Sequence, residues 1–188
     1  MCENTIVIRC FLTLPIWEGR SVVVFSLAPH TLDACTGLPD HTALIARFAH
    51  ELERMQHKHA QITLMLMTLD GLPGTDAVRE QAHYVQLLSV IAIRLQRAIR
   101  KSDAVARWNE DTFAVLLRDV RGGAHVTAVA WRVTCVCNTA ITTGGSDIRL
   151  QARIGYARYP ENGRFPEEVI AHAEAALGAS SFAHGIAS

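Results

Sequence analysis

One stretch limits the possible folds of this chain more than any other: Arg100-Lys-Ser-Asp103-Ala-Val-Ala-Arg107-Trp-Asn-Glu-Asp-Thr-Phe113-Ala-Val-Leu-Leu117. It reads as the end of a helix, a strand, a tight polar turn and a second strand. The apolar runs on either side of Asn109-Glu110-Asp111-Thr112 have strand composition, and the four small polar or acidic residues between them make a compact reversal. Two adjacent antiparallel strands need a sheet to join. Ile62 to Leu69 supplies a continuous apolar run, as expected for a strand buried on both faces.

Helical periodicity frames these strands. Asp40 is placed to cap a helix in which Leu44, Phe48, Leu52 and Met55 face the core and Arg47, Glu51 and Arg54 face water. A second helix is expected from about Ala77 to Arg100, with Leu88, Ile91, Ala92, Leu95 and Ile99 inward. A third is marked by Val126, Val129, Ala130, Val133 and Val136. Leu150 to Tyr159 reads as a strand, and Pro166 starts a last helix through Leu177. The order helix, strand, helix, hairpin, helix, strand, helix fits an α/β sandwich of mixed strands.

At 188 residues the chain holds one ordinary domain with some excess. Residues 1–30 are expected to form a β-hairpin, Thr5 to Leu12 with Ser21 to Leu27, either as an extension of the domain or as the remnant of a preceding PAS-like domain. The domain proper then spans 31–188. Eighteen basic residues balance eighteen acidic ones, so no overall positive field favours nucleic acid or an anionic membrane. No apolar run reaches the roughly 18 residues of a membrane span, and Glu3 without a basic cluster argues against a signal peptide. The expected location is the cytoplasm. Five cysteines, at 2, 10, 35, 135 and 137, form no regular framework and suggest reduced thiols. Cys135 and Cys137, two apart on a helix, face different directions and make a poor metal pair.

Several pieces, in the right order, carry a family resemblance. Ala106-Arg-Trp-Asn-Glu-Asp-Thr-Phe-Ala-Val-Leu-Leu117 resembles the signature hairpin of GGDEF domains, the diguanylate cyclase family, with Asp111 and Phe113 matching. Asp33-Ala-Cys-Thr-Gly-Leu-Pro39 resembles the segment that opens such domains. Ile154-Gly-Tyr-Ala-Arg-Tyr-Pro160 and Ala173-Glu-Ala-Ala-Leu177 resemble two later motifs. The resemblance covers about residues 31 to 185. It implies a palm-like antiparallel central sheet flanked by helices, within the α+β class, as in nucleotide cyclases.

What the resemblance implies about chemistry is mostly loss. Family members join two GTP molecules into cyclic di-GMP, and metal ions must neutralise phosphate charge and assist attack. The family's metal-binding aspartate falls on Thr68, within Thr68-Leu-Asp70-Gly-Leu72-Pro73, and a hydroxyl is a poor substitute for a charged ligand. Its guanine-reading asparagine falls on Asp76, and a second base contact falls on Val85, which offers no side-chain hydrogen bond. Pro73 and Ser181 stand where lysines usually face phosphate. In the turn, Asn109 and Glu110 replace glycines that let the backbone approach the nucleotide, Asp111 matches a metal-binding acid, and Thr112 replaces a glutamate. Asp70, Asp76, Glu110 and Asp111 also read as plain solvated loop acids. No catalytic residue, resident cofactor or magnesium ion is expected.

The resemblance also implies an inhibitory-type ligand site. Arg100-Lys-Ser-Asp103 has the spacing from the hairpin of the family's Arg-x-x-Asp, where cyclic di-GMP binds, and Arg132 matches a second arginine of that site. A guanidinium can bind guanine O6 and N7 together, and a carboxylate can accept from the base's N–H groups. The plain alternative is structural: Arg100 ends a helix, where a cation favours the dipole, and Asp103 caps a turn. His50, His57 and His59 read as solvated, and His83 falls out of register with the family's Gly-His pair at Glu80-Gln81. Three roles follow: an inactive domain that binds cyclic di-GMP and relays it to a partner protein or a second copy, a nucleotide-independent interaction module, and a GTP-responsive regulator.

Overall fold

A computed structural model describes residues 31–55, 61–72, 82–120, 122–143 and 146–180. In chain order the elements are α1 (His41–Met55), β1 (Ile62–Asp70), α2 (Ala82–Ala98), β2 (Ala104–Arg107), β3 (Thr112–Arg118), α3 (Gly123–Asn138), β4 (Ile141–Thr143), β5 (Ser146–Ile148), β6 (Gln151–Tyr159) and α4 (Pro166–Ala179). The main sheet has four strands in the order β2-β3-β1-β6, and every neighbour is antiparallel. The apolar run Ile62–Leu69 sits between β3 and β6, so side chains leave it towards both faces.

Strand alternation sorts those side chains into two layers. On one face Met65, Met67 and Leu69 of β1 join Phe113, Val115 and Leu117 of β3 under α2 and α3. On the other, Ile62, Leu64 and Leu66 join Ala114, Leu116 and Ala157 under α1 and α4. Both faces of β1 are dry, and burying each of these large apolar side chains is worth about 1.5–3 kcal/mol. Gly155 of β6 lies on the α4 side, where a Cβ would run into the backbone of Leu177 and Ala173. The missing side chain is what lets α4 lie flat on the sheet.

The helix ends follow local chemistry. Asp40 caps α1, its Oδ1 accepting from the Ala43 N–H at 2.9 Å. Hydrogen bonds, from Thr31 foremost and then from the Ala43 amide, hold its carboxyl below the usual carboxylate range. Ahead of it the Asp33–Gly37 turn closes on itself: Asp33 Oδ1 accepts from the Thr36 amide and hydroxyl, and Gly37 takes the left-handed conformation at φ 68°. The expected two-sided disposition of the cysteine pair holds, with Cys135 exposed and Cys137 buried. Burial pushes the Cys137 thiol up to about 12.

Three expectations need correction. Glu51 is not on the wet face of α1; it is 5% exposed and pairs with Arg118 of β3 at 2.9 Å. The second helix stops at Ala98, so Arg100 stands in the turn beyond it. A short hairpin, β4 with β5, intervenes between α3 and β6 and was not expected. The proposed hairpin of residues 1–30 and the start of the second helix from Ala77 lie outside the described residues.

Candidate functional site

The β2–β3 reversal is built from its own polar side chains. Asn109 Oδ1 accepts from the amides of Thr112, at 2.9 Å, and Asp111, at 3.2 Å, an Asx-type closure that needs no glycine. Thr112 itself belongs to β3, so the turn proper ends at Asp111. Arg107 enters from beneath. It is only 7% exposed; its Nη2 donates to the Glu110 carbonyl and its guanidinium lies 4.6 Å from the Phe113 ring centre. Tyr84 of α2 donates to the same carbonyl at 3.2 Å. The strand position of Arg107, on the Phe113 face, was the signal for its burial that went unread.

Sheet register brings the expected acid positions to one corner. Thr68 of β1 lies opposite Thr112 on one side and Arg153 on the other. The two threonine hydroxyls meet at 2.9 Å in a buried contact, and Thr112 donates to Asp111 Oδ1 at 2.9 Å. Since a hydroxyl has one proton, Thr68 is the donor to Thr112, and the chain runs Thr68 to Thr112 to Asp111. Asp70 pairs with Arg153 at 3.3 Å. Two neutral hydroxyls and one carboxylate that already accepts a bond are a poor oxygen set for a magnesium ion, so the described residues do not fit the metal that the chemistry of diguanylate synthesis needs. Among the described residues no group of three or more His, Cys, Asp or Glu is placed to hold one. Pro73, Asp76 and Ser181 lie outside the described residues, and Val85 is exposed on α2.

Beside the turn opens a hollow of about 420 Å³, lined by Asp33, Asp40, Tyr84, Arg107, Trp108 and Glu110 among others. Trp108 closes one wall against His41, with ring centres 4.1 Å apart. Three carboxylates and one buried guanidinium give it an acidic rim.

The second expected site divides in two. Asp103 closes a turn after α2: its Oδ2 accepts from the Arg100 amide at 3.2 Å, and its Oδ1 accepts from the Arg118 amide at 3.3 Å and the Ser102 hydroxyl at 3.2 Å. Arg118 bonds the Ser102 carbonyl and Glu51, fixing this turn to α1. Arg100 is exposed, and its guanidinium has no partner among the described residues. Arg132 stands on α3, in a groove whose lining does not include Arg100. It lines this groove, of about 350 Å³ between α2 and α3, with Arg94, Arg97, Ala98, Val136 and Thr139. Arg97 was not singled out in the sequence, where it looked like one more polar residue on a helix.

The family model described as "Diguanylate cyclase, GGDEF domain" matches residues 30–182. Among curated relatives, the chain is 27% identical over 146 residues to the diguanylate cyclase TpbB of Pseudomonas aeruginosa, covering 77% of this chain and 34% of that protein. It is 28% identical over 145 residues to the cyclic di-GMP phosphodiesterase NbdA of the same organism, covering 77% and 18%. It thus spans about a third or less of these relatives. The solved GGDEF domain of TpbB superposes with a TM-score of 0.72 at 27% identity, over 79% of this chain and 87% of that one. With the antiparallel sheet, its flanking helices and the matched hairpin, the chain belongs to the GGDEF domain family of diguanylate cyclases.

Proposed function

We propose that this chain is a catalytically inactive GGDEF signalling domain that binds cyclic di-GMP at the Arg100–Asp103 turn, with help from Arg132, and passes the bound state to a partner in the cytoplasm. The observation that carries the reading is Arg100 itself: an exposed guanidinium without a partner among the described residues, on a turn held by Asp103. Asp103 already accepts three bonds, which leaves it little capacity for a base, so its main work is to position Arg100. Inactivity is supported by the threonine chain at the acid corner, and a thousandfold loss of rate needs only about 4 kcal/mol of lost transition-state stabilisation. The relatives TpbB and NbdA are named for making and degrading this dinucleotide. The partner is another signalling protein or a second copy of the chain.

Calorimetric titration of cyclic di-GMP into the wild type and into Arg100→Ala tests this. Binding at micromolar strength or tighter, weakened at least tenfold by the substitution, is expected. No binding to a folded wild type sinks the receptor reading and leaves the nucleotide-independent interaction module, whose mark is an oligomer that grows with protein concentration. Thermal stabilisation by GTP with magnesium instead favours the GTP-responsive regulator. Formation of cyclic di-GMP from GTP overturns inactivity.

A further inference from the structure

The groove between α2 and α3 carries more positive charge than the fold uses. Arg94 is employed by the fold: its guanidinium donates to the carbonyls of Val136, Thr139 and Ala140 at 3.2, 2.6 and 3.1 Å, capping α3 and locking the ends of the two helices together. Arg97 and Arg132 line the same groove, and neither guanidinium has a hydrogen-bond or ion-pair partner among the described residues. No carboxylate lines it, and its remaining lining is Ala98, Val136 and Thr139. A cation in the last turn of a helix is ordinarily explained by the helix dipole, which accounts for Arg97 on α2. It does not account for Arg132, since α3 has no basic residue in its last turn.

We infer that Arg97 and Arg132 form a clamp for a phosphodiester, and that Arg97 is a ligand-contacting residue of the cyclic di-GMP site. The inference rests on the receptor reading for the identity of the ligand and adds a residue to it. Two like charges beside apolar walls repel each other, and an anion between them removes that repulsion while gaining charge-assisted, planar hydrogen bonds that arginine is suited to make. Because Arg94 has already fixed the helix ends, the backbone of the groove needs no ordering on binding, and what remains is to hold the two exposed arginine side chains. About 350 Å³ is the small end of ligand sites. The groove therefore takes a phosphate and its sugar, while Arg100 outside it is left to meet a base. Recognition in the groove is by charge, so it is indifferent to which purine the ligand carries.

The test is titration of cyclic di-GMP into wild type, Arg97→Ala and Arg54→Ala, the last removing an exposed cation of α1 on the other face of the sheet. Arg97→Ala is expected to weaken binding at least tenfold and to flatten its dependence on salt, and Arg54→Ala to change it less than twofold. Equal binding by Arg97→Ala and wild type overturns the clamp while leaving the receptor reading intact. Equal losses in both variants overturn it too, because the effect is then diffuse charge. If the wild type does not bind cyclic di-GMP, the receptor reading fails, and inorganic pyrophosphate becomes the probe. Movement of the Arg97 and Arg132 side-chain NMR signals on its addition then supports an anion clamp for another phosphate ester, and unmoved signals overturn it. A circular dichroism melt of each variant checks that it is folded.

Discussion

Two hollows lie against α2, each edged by arginine, and their chemistry is opposite. The hollow beside the turn is rimmed by Asp33, Asp40 and Glu110, and its one arginine, Arg107, is buried beside Phe113 with Nη2 on a backbone carbonyl and a buried Nη1 that has no hydrogen-bond partner among the described residues. The groove between α2 and α3 has three arginines and no acid. A net formal charge of zero hides this separation. In the first place the polar groups described are largely engaged with one another, as a fold needs. In the second, Arg97 answers the dipole of α2 while Arg132 has no such use, and neither guanidinium has a partner among the described residues. What separates the two places is exposure: the unpartnered nitrogen of Arg107 is sealed inside the fold, whereas the guanidiniums of Arg97 and Arg132 stand open to solvent and so to a ligand.

The comparison breaks most visibly if the turn side can still hold an ion. Thr68→Asp puts a carboxylate on a buried strand position next to Asp111, and without divalent ions it is expected to cost about 3 kcal/mol in urea unfolding, the scale of an uncompensated buried charge. Recovery of most of that loss in millimolar magnesium would show that the corner still accepts metal. A smaller effect tests the scaffold beneath the ligand turn. Glu51→Ala leaves Arg118 without its carboxylate, and about 2 kcal/mol is expected because Arg118, at 25% exposure, is partly solvated; a loss below about 0.5 kcal/mol would mean that the turn is held by Asp103 alone. The smallest effect sharpens the picture of the acidic rim. The carboxyl of Asp40 is held below its ordinary 3.8 in the folded chain, so its contribution is present above that pH and fades as pH falls through the lower folded value. Asp40→Asn is expected to flatten the stability profile as pH falls below 3.8, and an unchanged slope there would show that Asp40 gains nothing from its cap.

Where local pattern and long-range packing agreed, the fold was readable. The run Ile62–Leu69, the Asp40 cap and the two strands around Asn109 each announce themselves within a few residues, and the packing uses them as they stand. What stayed hidden was decided by distant partners. Glu51 looked like a wet-face acid because its arginine is 67 residues away in sequence. The β4–β5 hairpin has three residues per strand, too few for alternation to show. The site was legible to a lesser degree. The acid positions Thr68, Asp111 and Thr112 do converge, but that their hydroxyls bond one another follows from register, which no single strand reveals. Arg100 and Asp103 stand together in the turn, whereas Arg132 lines a groove with Arg97, a neighbourhood set by how α2 lies on α3.

Arg118 works as a strut. One side chain spans from β3 to the Ser102 carbonyl and on to Glu51 of α1, and its amide meets Asp103. The turn that presents Arg100 therefore has α1 as its backstop. Pulling that turn outward must either break these polar contacts or drag the first helix with it, so a load applied at the turn is passed to α1 along a polar brace, outside both hydrophobic layers.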